Sequence, residues 1–147
     1  MKLYRRVLCV CRRSDEVLLA CEGDDAYWIL PGGGVEEGET YSEAFIRELG
    51  EELGLTAAIE NPAFLFMLEN FYSLNGESIH ELSVAFQLPE KYVDQIEINY
   101  CEFGHTRLMR WHKISDLPFL NLMPSVLPKY LDFSFEKPSI YYGVSRG

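Results

Sequence analysis

The chain has 147 residues, 48% of them apolar and 24% charged, and a formal net charge of −10. This length favours a single domain, residues 1–147, with enough chain to bury a core, and the composition excludes fibrous and disordered classes. The acidic balance argues against a general nucleic-acid-binding surface. No apolar run approaches the roughly 20 residues of a membrane span and no secretory signal opens the chain, so the expected location is the cytoplasm.

Lys2–Cys11 reads as a strand, Arg12-Arg13-Ser14-Asp15 as a turn and Val17–Cys21 as the returning strand of a hairpin. Cys9 and Cys11 lie two apart on that first strand and share a face, where they read as small core hydrophobes. None of the four cysteines forms a C-x-x-C pair, which argues against a zinc site. Glu22-Gly23-Asp24-Asp25 reads as a loop and Tyr27–Leu30 as a short strand stopped by Pro31. Gly32-Gly33-Gly34 reads as a flexible turn that lets backbone approach a ligand or metal closely.

Thr40–Leu53 reads as a helix, with Thr40 and Glu43 as a capping box and Gly54 as its stop. Ala57–Tyr72 is strand-like with a bend near Pro62, Leu74-Asn75-Gly76 is a turn, and Glu81–Leu88 is an alternating strand. Arg107–His112 reads as a late strand and Ser125–Phe133 as a short closing helix, while Ser139–Gly147 has no clear pattern. Strands on both sides of a central helix, with a second helix near the end, predict mixed α/β layers.

The central helix carries the chemistry. At 100° per residue, with Glu48 at zero, Glu51 falls at about −60° and Glu52 at about +40°. Phe45, Leu49, Leu53 and Ile46 follow at about 60° to 160°, an apolar stripe that can anchor the helix. One edge therefore presents three acids beside a buried face. Like charges at these spacings destabilise a helix, and Arg47 can offset them by pairing with Glu51 or reaching Glu39. From Gly33 to Leu55 there are seven glutamates and one arginine, so the window contributes −6 of the net charge. Such a site would repel a phosphorylated ligand unless cations were bound first. Mg²⁺, or Mn²⁺ in its place, suits carboxylate, carbonyl and water oxygens.

The segment GGVEEGETYSEAFIRELGEELGL, Gly33 to Leu55, resembles the Nudix box, G-x5-E-x7-R-E-U-x-E-E-x-G-U with U aliphatic. Gly33, Glu39, Arg47-Glu48-Leu49, Glu51-Glu52 and Gly54-Leu55 fill every defined position. The flanking Leu30-Pro31-Gly32 and the late Arg110-Trp111 and Asp116-Leu117 are similar in a less specific way. The resemblance implies an α/β/α sandwich with a mixed β-sheet between helices. It implies metal-dependent hydrolysis of a pyrophosphate linkage in a nucleoside triphosphate or nucleoside diphosphate derivative. Glu48 and Glu52 would be the principal metal ligands, with Glu51 alongside and the Gly32 carbonyl as a further ligand. Glu48 would also serve or orient the general base, and Arg47 would position the carboxylates.

In related enzymes a later acid completes the site, and Glu102, then Glu97, then Glu81 are the candidates here. Tyr27, Trp28, Phe71, Tyr72 and Trp111 can stack on a base. Trp28 and Tyr72, with Glu102, are the substrate-binding candidates, since Tyr72 lies near the spacing of a tyrosine in enzymes acting on diadenosine polyphosphates. His80, His105 and His112 form no nucleophile motif, and a P-loop is absent. The expected partner is a small-molecule nucleotide, and a homodimer is an analogy with relatives. Two alternatives stay open: a hydrolase of ADP-ribose, dinucleotide polyphosphates or nucleotide sugars, and a non-catalytic nucleotide-sensing module.

Overall fold

The structure, a computed structural model, describes residues 1–22, 27–56, 58–97, 101–102, 105–132 and 141–146, with backbone alone at 22, 101–102 and 105–107. Strand β1 (Lys2–Val10) alternates its apolar side chains, so Val7 and Cys9 enter one core and Leu8 and Val10 a second core on the opposite face. Both sides of β1 are occupied. Parallel β6 (Glu77–Gln87) pairs along one edge, and antiparallel β4 (Gly32–Gly34) along the other. The expected hairpin therefore forms only at its tip. There β2 (Arg12–Arg13) pairs with the start of β3 (Glu16–Glu22), which then runs antiparallel to β8 (His105–Lys113). With both edges of β1 already hydrogen-bonded, β3 has to satisfy its backbone elsewhere.

The glycine run is likewise not a free turn but a strand. Gly32 has φ 150°, and a Cβ there would meet the Val7 carbonyl oxygen at 2.1 Å. Glycine is required because β4 approaches β1 too closely for a side chain. Of the strand expected over Ala57–Tyr72 only the part beyond Pro62 forms: β5 (Ala63–Leu74) starts just after the bend and returns antiparallel along β6. Asn75 and Gly76 make that turn, with φ 51° and 79°, the paired positive angles of a two-residue hairpin loop.

The remaining elements depart further from expectation. The closing helix expected over Ser125–Phe133 is only one turn, α2 (Leu127–Tyr130), with Pro128 in that turn setting its start. The tail that lacked a pattern supplies β9 (Tyr142–Ser145), parallel to β5. The five-stranded mixed sheet runs β4-β1-β6-β5-β9, and a second sheet runs β2-β3-β8-β7, where β7 is Cys101–Glu102.

Helix α1 (Tyr41–Leu53) has the expected ends. Thr40 accepts from the Glu43 N–H, Glu43 accepts from the Thr40 N–H, and Gly54 closes the helix at φ 64°. Phe45, Leu49 and Leu53 pack on Val7, Cys9, Val84 and Phe86. On the opposite face Leu117, Leu127, Tyr130 and Leu131 cover Leu8, Val10, Phe66 and Leu68. The mixed sheet thus lies between helical layers, as the resemblance implies. Among the described residues, no helix is long and apolar enough to cross a membrane.

Candidate active site

The helical projection explains how the three box acids divide. Glu48 and Glu52 lie nearest the apolar stripe, and both are buried, at 5% and 4% exposure. Glu51, on the far side of Glu48, is exposed. The three therefore do not share one open edge. Glu48 packs on the glycine strand: a Cβ on Gly33 would lie 2.2 Å from Glu48 Oε1. The helix can sit this close to β4 because Gly33 has no side chain. Below them is the buried Cys9 thiol, held protonated first by burial, then by Cys11 and by the charges of Glu48 and Glu52. Cys9 and Cys11 are thus the core thiols the sequence indicates, and both are free.

Arg47 holds the acids in place. Its Nε donates to Glu39 Oε2 at 2.8 Å and its Nη2 to Glu39 Oε1 at 2.9 Å, a bidentate pair. Nη2 also donates to the Gly34 carbonyl at 2.8 Å, and Nη1 to Glu48 Oε1 at 2.9 Å and Glu51 Oε2 at 3.1 Å. All five N–H donors of the guanidinium are used. The hydrogen bond from Arg47 is the main cause of a Glu39 carboxyl held below its ordinary range, against a smaller effect of burial. The same bonds push the guanidinium further up. Arg5 ties down the loop before the helix by donating to the Glu36 and Glu39 carbonyls at 3.3 and 3.5 Å.

The donor chemistry fits a hard divalent cation: carboxylate oxygens on Glu48, Glu51 and Glu52 of one helix, with Glu48 beside a backbone strand without side chains. Burying two carboxylates is costly unless positive charge is near. As the side chains stand, Arg47 supplies that charge to Glu48 and Glu51, and no three described His, Cys, Asp or Glu side chains are grouped to hold an ion.

The later acids separate. Glu97 lies beyond the helix end, its N–H donating to the Leu53 carbonyl at 2.7 Å and its side chain beside Gly54. Glu81 points away from α1, to the opposite face of the sheet. The side chain of Glu102 lies outside the described residues. On that opposite face is a cleft of ≈ 490 Å³ with an apolar floor that includes Leu8, Ile29, Leu30 and Leu127. Its polar wall is Arg6, Asn70, Tyr72, Glu81 and Ser83. Tyr72 donates to Glu81 Oε2 at 2.7 Å, and burial followed by this bond raises its hydroxyl above the ordinary value.

Trp28 does not line the cleft. Its ring meets His112 edge-on at 4.5 Å and its backbone bonds Asn121 and Met123, so it joins the wall to the following loop. His80 stacks on Phe71 and bonds Glu69 on the α1 face, and the His105 side chain lies outside the described residues. Arg6, Asn70 and Ser83 have no motif, and the period-two alternation of β1 and β6 was the one signal that could have pointed to a shared face.

A profile of the NUDIX domain matches residues 2–132. The chain belongs to the Nudix family. It is a pyrophosphohydrolase acting on phosphoric anhydrides, and Nudix enzymes generally use divalent cations. The uncharacterized Nudix hydrolase YvcI of Bacillus subtilis is 29% identical over 145 residues, spanning 96% of this chain and 85% of that protein. Human diphosphoinositol polyphosphate phosphohydrolase 2 is 30% identical over 133 residues, spanning 87% of this chain and 68% of that protein. The MutT protein from Bacillus halodurans has the same fold, with a TM-score of 0.71 at 21% identity over 97% of this chain and 89% of that one.

Proposed function

We propose that residues 1–147 act as one domain that hydrolyses the pyrophosphate linkage of a nucleoside triphosphate or nucleoside diphosphate derivative, with Mg²⁺ as the metal. One observation carries the reading: Glu48 and Glu52 are buried carboxylates on one helix, and Glu48 packs on a side-chain-free strand whose neighbour, β1, lines the cleft. Arg6 and Leu8 face that cleft and pair with Gly34 and Gly32. A nucleoside in the cleft would pass its phosphates across the bare edge of β4 toward the acids. Among the described lining residues Arg6 is the cation and Glu81 the anion, over an apolar floor. That mixture suits a nucleoside better than the polyphosphorylated inositol named for the human relative, which calls for a cluster of cations.

Glu48, Glu52 and Glu51, with the Gly32 carbonyl, would hold the metal. A bound divalent cation neutralises phosphate charge and lowers the pKa of water. Glu48 receives the proton of the attacking water, and Arg47 keeps Glu48 and Glu51 oriented through the bonds described above. Catalysis on this reading is mainly positioning and charge neutralisation.

The test is product analysis on a nucleotide panel including ADP-ribose, dinucleotide polyphosphates and nucleotide sugars, with Mg²⁺ and with chelator. Glu52→Gln is expected to keep the fold and lose turnover by about 10²-fold or more. Near-normal activity in that variant removes Glu52 from the site. Activity unchanged by chelator removes the metal. Tight binding of one nucleotide without turnover of any identifies a sensor instead.

A further inference from the structure

We infer that Glu81, with Asn70 opposite it, reads the base in the cleft and selects a guanine-type ring, a 2-amino-6-oxopurine. The inference rests on the cleft being the nucleoside site. The resemblance offered Glu81 as the third candidate for a later acid that completes the site, but its position on the face away from α1 frees it for another role.

Two neutral hydroxyls hold the carboxylate. Tyr72 donates to Oε2 at 2.7 Å and Ser83 to Oε1 at 2.8 Å. Tyr72 and Ser83 flank Glu81 from β5 and from its own strand, and all three line the cleft. Among the described residues no cation lies within ion-pair distance of Glu81. An ionised carboxylate accepts only, at about four lone-pair sites, so among the described residues the two hydroxyls leave about two unfilled. The cleft therefore offers a pair of adjacent acceptors on a rigid support.

The bases differ in which edge can meet that pair. Adenine sets its N6–H beside the N1 acceptor, and cytosine its N4–H beside the N3 acceptor. Uracil flanks its N3–H with two carbonyls. In each case one carboxylate oxygen would face a lone pair. Guanine alone among these sets two donors side by side, N1–H and the exocyclic N2–H, with the O6 acceptor next in line. Asn70 is the direct cross-strand partner of Glu81 and lines the same cleft. Such partners have Cβ atoms roughly 5 Å apart, and an Asn amide carries two N–H donors, so Asn70 can serve O6 while Glu81 serves N1 and N2. Leu8, Ile29 and Leu30 supply apolar contact for the rest of the ring.

The experiment is calorimetric binding of guanosine, inosine and adenosine diphosphates, with Mg²⁺, to the full chain and to Glu81→Gln. Inosine differs from guanosine only by lacking the 2-amino group. The expected result is guanosine diphosphate bound about 10- to 100-fold more tightly than either competitor, the effect of a hydrogen bond to a charged group. In Glu81→Gln, which replaces one acceptor by a donor, that ratio is expected to fall within about threefold, through loss of guanosine affinity alone. If the variant does not fold, the wild-type guanosine to inosine ratio decides. Equal affinity for the two, or no guanosine binding while other nucleotides are hydrolysed, overturns the inference and leaves the proposed hydrolysis standing. No binding and no turnover of any nucleotide removes both.

Discussion

Replacing Arg47 by alanine removes five donated hydrogen bonds, four to the carboxylates of Glu39, Glu48 and Glu51 and one to the Gly34 carbonyl. The main loss is the bidentate pair with Glu39, whose side chains are 22% and 14% exposed for Arg47 and Glu39. Removing one partner of a fully buried pair costs about 3–5 kcal/mol, and partial exposure lowers this to about 2–4 kcal/mol. For a chain of this size that corresponds to a fall of roughly 5–15 °C in melting temperature. Urea unfolding with chelator present, so that no metal supplies the missing charge, measures it.

The pH dependence gives an independent readout. The Glu39 carboxyl is lowered in the folded state, mainly by its bonds from Arg47. Its contribution is complete above the ordinary carboxylate value and is lost as pH falls through the lower folded value. The stability gap between wild type and Arg47→Ala should therefore be widest at neutral pH and shrink as pH falls below the ordinary carboxylate value. Arg47→Lys keeps the charge but not the fork, and should recover less than half of the gap. A gap below about 0.5 kcal/mol, the range of ordinary surface substitutions, would refute the assignment of Arg47 as the organiser of the site. So would a gap that does not change with pH.

Three glycines offer a graded series. Gly32→Ala, whose Cβ would meet a backbone oxygen at 2.1 Å with φ 150°, should destabilise by more than about 3 kcal/mol in chemical denaturation. Gly34→Ala, where nothing lies within 4 Å, should fall within about 0.5 kcal/mol of wild type. Gly33→Ala should fold but displace Glu48, and steady-state kinetics should report a loss of about 10²-fold in turnover. Thr40→Ala removes the accepting half of the capping box and should cost about 1 kcal/mol by thermal unfolding, with Thr40→Ser close to wild type.

What the amino-acid order determined was local. The α1 boundaries follow from Thr40, Glu43 and Gly54, each acting within a few residues of itself. The β5–β6 turn follows from Asn75 and Gly76 in the same way. The spacing of Glu48, Glu51 and Glu52 is read through the helical period, and so is the i,i+4 pairing of Arg47 with Glu51. The resemblance added the order of layers. Tertiary structure decided what depends on partners far away in the chain. It turned the glycine run into an edge strand, because β1 was there to pair with it. It took β3 from β1 to β8, and brought the unpatterned tail to β5. It buried Glu48 and Glu52 while leaving Glu51 in solvent, and assembled Arg6, Asn70, Tyr72 and Glu81 from three strands into one wall. Capping and turn residues act over one or two turns of backbone and are legible in sequence. A cleft wall depends on strand register and on which sheet face each residue takes, and these are set only when strands distant in sequence meet.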